Sequence, residues 1–152
     1  MHLLRTLIAA ASLALAAPAF AHTDDWFDAN PSPNGGQVRM AGPYHFELMP
    51  QQGKDGVLVH VTDHGDKKVA TKGWKASAVI LAGGKKTRVE LKPGAGNTLT
   101  GKGALGGADA KIVVSITDQG GKQYSARFTP GAAKKAAAPG GHEHHGHDHH
   151  HH

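Results

Sequence analysis

Eight histidines, two carboxylates and one glycine make up the last stretch of the chain, His142 to His152. Imidazole is the commonest side-chain ligand of borderline transition metals, and a run this dense is a chelator by composition. The ligand candidates are His142, His144, His145, His147, His149, His150, His151 and His152, with Glu143 and Asp148 as oxygen donors or imidazole-orienting groups. On a flexible backbone several of these reach one ion together. Cu(II), Zn(II), Ni(II) and Co(II) all suit such a set, and the set alone does not choose among them. A cloning tag is the bland alternative. The longest unbroken run is only His149 to His152, and His142-Glu143-His144-His145-Gly146-His147-Asp148 is not a simple tag. A native tail is therefore the better reading.

The rest of the chain holds weaker candidates. His45, His60 and His64 are surface or half-buried positions on the bland reading. On the sharper one, His45 or His60 joins Met40 or Met49 in an ordered thioether–imidazole site of copper-like character. His22 would chelate through its amine and ring if it were the first residue of a processed chain. Asp63 and Asp66 flank His64-Gly65 and read as turn formers. Nothing has the pattern of an enzyme. There is no G-x-S-x-G, no cysteine nucleophile, no H-E-x-x-H and no phosphate loop opening a helix.

The first 21 residues read as a secretory signal. Arg5 supplies the positive charge, Leu7 to Ala17 the apolar run, and Ala19-Phe20-Ala21 the cleavage pattern. The apolar run is too short for a bilayer span, so the product is expected in the periplasm and not embedded in a membrane. With no cysteine in the chain, an exported domain must hold itself by core packing or metal. The formal charge of +5 comes from lysines scattered through the middle of the chain. Nucleic acid is not an expected partner, because the compartment is wrong and aromatics are few.

The elements that must position these groups are strands. Residues 22–34 contain Pro31 and Pro33 and read as an extended arm, with Trp26 and Phe27 able to dock. From residue 35 to about 130, apolar residues alternate with polar ones in short runs. These are Val38/Met40, Tyr44/Phe46/Leu48, Val57/Val59/Val61, Trp74/Ala76/Ala78/Ile80, Thr87/Val89/Leu91, Ile112/Val114/Ile116 and Tyr124/Ala126/Phe128. Gly83-Gly84 and Gly120-Gly121 mark hairpins. Seven or eight strands in one domain predict an all-β fold, a single antiparallel β-sandwich or small barrel. No convincing internal repeat is visible. Residues 131–141 form an Ala/Lys/Gly/Pro linker. The tail has no apolar anchor and is expected to be disordered without metal.

Residues 33–128 resemble a family of small exported β-domains associated with heavy-metal efflux systems. The likeness is carried by Gly35-Gly36-Gln37-Val38, Ala41-Gly42-Pro43-Tyr44-His45-Phe46-Glu47-Leu48, Val61-Thr62-Asp63-His64, Leu91-Lys92-Pro93, Asn97-Thr98-Leu99 and Ala126-Arg127-Phe128. Members often read P-H-G-G at the start, and here Asn34 stands in place of that histidine. The resemblance implies periplasmic metal handling and a pump component as partner. The function expected is thus divalent transition-metal binding or buffering, with delivery to an efflux system. The alternative is a β-sandwich interaction module that docks on a pump or envelope protein, the tail being incidental. An enzyme with a copper centre at His22 comes last.

Overall fold

A computed structural model describes residues 23–50 and 56–131. Residues 1–22, 51–55 and 132–152, and with them the expected signal segment, linker and histidine tail, lie outside the described residues.

Eight antiparallel strands follow a short helix. They are α1 (Asp24–Ala29), β1 (Gln37–Ala41), β2 (Tyr44–Leu48), β3 (Gly56–Asp63), β4 (Lys75–Ala82), β5 (Lys85–Pro93), β6 (Thr98–Lys102), β7 (Lys111–Thr117) and β8 (Gln123–Phe128). They form one sheet in the order β1-β2-β3-β6-β5-β4-β7-β8. The sheet curls until β1 lies beside β8. No ladder joins those two strands. Instead the Gln37 side chain spans the seam: Thr129 N donates to Gln37 Oε1 (2.9 Å), and Gln37 Nε2 donates to Thr129 O (3.4 Å). The all-β expectation holds, and a single nearly closed barrel-like sheet decides between its two forms.

Period-two alternation does the folding work. Val57, Val59 and Val61 of β3, Ala78 and Ile80 of β4, Ile112 and Val114 of β7 and Phe128 of β8 point into one core with Phe46, Leu91 and Leu99. Burying such aliphatics against one another is the main stabilising term. The β4–β5 hairpin turns at Gly83-Gly84, whose φ values of 54° and 72° belong to the tight primed turn that suits strand twist. β6 was not legible as a run, since Leu99 is its one core residue. Its long-range pairings with β3 and β5 make it a strand.

The extended arm is corrected. Residues 24–29 are helical. Thr23 caps the helix by accepting from Trp26 N, and Asp24 and Asp25 sit in the first turn, where the helix dipole favours negative charge. Asn30 Nδ2 donates to Trp26 O (2.7 Å) at the other end. The prolines limit the helix to six residues without forbidding it.

Candidate functional site

On alternation alone, β2 should send His45, Glu47 and Met49 to solvent. All three are buried, His45 at 4% and Glu47 at 5% exposure. The cover is the N-terminal segment. Arg39 of β1, itself 5% exposed, grips Asp28 of α1 with its two terminal guanidinium nitrogens (2.8 and 3.0 Å), and its Nε lies 3.7 Å from Asp24 Oδ2. A fork on a carboxylate fixes orientation as well as distance. That contact lays Phe27 edge-on against the His45 ring, centroids 5.0 Å apart. Below it, Glu47 Oε1 accepts from the N–H groups of Asn34 and Gly36 (both 2.9 Å), and Oε2 from Asn34 Nδ2 (2.7 Å). Gly36 is required there, because a Cβ would sit 2.6 Å from Leu48 O. Asn34 is thus a tether for Glu47.

Around this cover a cavity of about 100 Å³ is lined by Trp26, Phe27, Pro31, Ser32, Pro33 and Val38 on one side. His45, Glu47, His60, Thr62 and Asp66 line the other. His60 of β3 lies opposite Glu47 in the register, and His45 opposite Thr62. The turn after β3 brings two more groups. His64 stacks on His45, rings 23° apart and centroids at 5.0 Å. Its Nε2 lies 3.0 Å from Gly42 O. A carbonyl only accepts, so that nitrogen is the donor in this contact. Asp66 Oδ1 lies 3.5 Å from His45 Nδ1.

The turn itself explains how Asp66 arrives. Asp63 Oδ1 accepts from Gly65 N and Lys67 N (2.9 Å each), and Asp66 N donates to Asp63 O (3.0 Å). Asp63 is therefore the turn former that the sequence suggested. Asp66 is not needed for the turn's bonding through its side chain. It occupies left-handed backbone, φ 59°, where glycine is usual, and among the described residues no other non-glycine does so.

The remaining sequence candidates separate. Met40 is opposite His45 in the β1–β2 register and within cross-strand reach. Met49 is four residues along from His45, about 13 Å of strand. It lines a different, largely apolar cavity of about 560 Å³ with Phe27, Val38, Leu48 and Leu105, at the end where Gly131 leaves the barrel. Met49 N donates to Leu58 O (2.9 Å), which sets Met49 across from β3 two residues from His60. Among the described residues no three His, Asp or Glu side chains are arranged as a metal-binding group. His45, His64 and Asp66 are brought together, with His60 and Glu47 alongside. His22 and the candidates from His142 to His152 lie outside the described residues. The docking expected of Phe27 is seen in its contact with His45, whereas the place of Asp66 beside His45 was missed from sequence; a charged residue at a glycine-type turn position was the one available signal.

No family model, curated protein or solved structure matches this chain. Among the described residues, no helix is long and apolar enough to cross a membrane.

Proposed function

We propose that the protein is an exported binding and buffering protein for divalent transition metals, and that its ions pass to a heavy-metal efflux system. The observation that carries this is the donor content of His142 to His152. Eight imidazoles within one short segment offer many overlapping chelates, so ions exchange readily and more than one is held. The barrel serves as the carrier. Its β2–β3 face adds the ordered imidazoles His45, His60 and His64 beside two carboxylates. Zn(II), Cu(II), Ni(II) and Co(II) are the cargo this donor set takes.

The test is equilibrium titration of the processed protein with each metal, beside a variant with all eight tail histidines replaced by alanine. The variant is expected to lose most of the bound metal. Unchanged stoichiometry and affinity would refute the proposal. The alternative, a docking module for a pump or envelope protein, draws on the apolar cavity of about 560 Å³ at the end of the barrel where the chain leaves it. It predicts that partner capture survives in the tail variant and fails when the cavity is filled, for example by Leu105→Trp.

A further inference from the structure

Where an antiparallel sheet faces water, its outward positions are normally polar. β4 and β7 depart from this. Their outward residues include Val79, Leu81 and Val113. Leu81 is 46% exposed, and among the described residues the exposed large hydrophobics are Leu81 and Trp26. The register sets these residues side by side. Val79 pairs with Arg88 on one side and Val113 on the other, and Val113 pairs in turn with Arg127. Leu81 pairs with Lys86 and with Lys111. Both apolar rows thus end in a cation on either side. The next row is Glu90, Ser77, Ser115 and Ser125, whose short hydroxyl side chains keep the surface low.

Two ordinary explanations fall short of this arrangement. Valine suits a strand whichever way it faces, but that does not account for Leu81. Cations guard sheet edges against pairing with other chains, yet β5 is no edge, since it pairs with both β4 and β6. Among the described residues, none of Lys86, Arg88, Lys111 and Arg127 is held in an ion pair. Lys75 and Lys92 also face outward on these strands. The carboxylates nearby are Glu90 and, two residues before Lys111, Asp109. The other side of the barrel differs. There β1 and β2 are roofed by α1, which shows Asp24 and Asp25 to solvent. The roof is acidic and the bare face is cationic.

We propose that the outward face of β5-β4-β7-β8 seats on the surface of an anionic phospholipid bilayer. This is independent of the metal reading. Strand spacing puts Arg88 and Arg127 about 14 Å apart across their row, and Leu81 about 7 Å from Val79 along β4. The sheet curls, so the face is convex. β4 and β7 form its crest, and the long side chains of β5 and β8 flank that crest on either side. On a bilayer the crest enters the headgroup layer to a shallow depth. The cations meet lipid phosphates while their stems lie against apolar surface. The charge matches an anionic partner and sets a second copy of this face against like charge. The apolar crest covers on the order of 100 Å², whereas a stable protein interface needs about 800 Å² from each partner. A bilayer needs no matched surface, because its phosphates form a continuous negative field. Each Lys or Arg near that field strengthens attachment about fivefold. No aromatic side chain faces outward among these rows, so the base stacking that nucleic acid uses is not offered.

The test is flotation of the full processed chain with vesicles of mixed phosphatidylglycerol and phosphatidylcholine, beside vesicles of phosphatidylcholine alone. A chelator and a pH of about 7.5 keep the histidines neutral and metal-free. Binding is expected to the anionic vesicles only. It should fall as salt rises from about 0.1 M to about 1 M, which shortens the Debye length from about 10 Å to about 3 Å. Arg88→Gln with Arg127→Gln should weaken binding about 25-fold. Lys67→Gln with Lys68→Gln removes the same charge from the turn after β3 and should change it by less than about threefold. Leu81→Ser should weaken it about threefold or more. On the parent chain, a spin label at the lipid headgroup should attenuate the amide signals of Val79, Leu81 and Val113 ahead of those of α1. No binding, or equal binding to both kinds of vesicle, would overturn the proposal. So would equal losses in the two double variants, or attenuation centred on α1. Polyglutamate that binds as tightly as the anionic vesicles, with Leu81→Ser binding like the parent, would assign the face to an acidic polypeptide and overturn the bilayer as its partner.

Discussion

Replacing Asp66 by glycine should leave the fold as stable as before, although it removes a charged side chain that touches a buried histidine. Three contributions decide this. Left-handed backbone costs a non-glycine residue about 1 kcal/mol, and glycine recovers it. Against that, glycine has more freedom to lose on folding, about 0.5–1 kcal/mol. The contact with His45 is long, at 3.5 Å, and Asp66 is 75% exposed, so after discounting for solvent screening it contributes about 0.5 kcal/mol at most. The sum lies within about 0.5 kcal/mol of zero, a change in Tm within about 4 °C for a domain of this size. Asp63→Ala is the contrast. Asp63 Oδ1 accepts two backbone N–H groups that no other side chain satisfies in that turn, and their loss should cost about 1–2 kcal/mol. Thermal and urea unfolding of the two variants beside the parent measure both numbers. If Asp66→Gly loses about 2 kcal/mol or more, Asp66 is a structural residue, and its contact with His45 counts for more than its length and exposure imply.

Asp28→Ala removes the fork on Arg39, 5% exposed, and leaves it the longer contact with the exposed Asp24 (3.7 Å). A loss of about 2 kcal/mol is expected, with increased solvent exposure of Trp26 seen by fluorescence quenching. Tyr44 has its pKa raised above 10.0, first by burial and then by the hydrogen bond and charge of Asp118. A raised folded value means the stability from neutral Tyr44 is fully present below about pH 10 and lost as pH climbs through the folded value. Absorbance titration should show one of the two tyrosines ionising late, and Asp118→Asn should bring it earlier; simultaneous ionisation in both proteins would contradict the assignment. Metal loading of the tail requires neutral imidazole, and free imidazole has a pKa of about 6.5. Binding should be strong near pH 7.5 and collapse below about pH 5.5, with protons released on loading. Calorimetry in two buffers of different ionisation enthalpy measures that release, and equal affinity at both pH values would show that the tail histidines are not the ligands.

The barrel is largely legible in the sequence. Val57, Val59 and Val61, or Ile112, Val114 and Ile116, announce a strand with one buried face, because side chains alternate strictly along extended backbone. Gly83-Gly84 announces a turn, because few other residues accept two successive positive φ values. The donor content of His142 to His152 is likewise a matter of composition and needs no fold to be read. The helix at 24–29 was harder. Its caps, Thr23 and Asn30, are in the sequence, but two nearby prolines outweigh them in a local reading, and the Asp28–Arg39 contact that docks the helix is a tertiary one.

The sequence by itself determined that the chain makes short amphipathic strands in one modest core and carries a histidine-dense segment from His142 to His152, because those properties depend on residue type and on neighbours a few positions away. Only the tertiary structure decided that the sheet curls nearly shut, that α1 roofs the outward face of β2, and that His45 is buried with Asp66 at its Nδ1. The reason is distance along the chain. Strand pairing brings together residues far apart in sequence, and which polar groups meet on the outside of a barrel depends on the order and register of its strands, not on any local pattern.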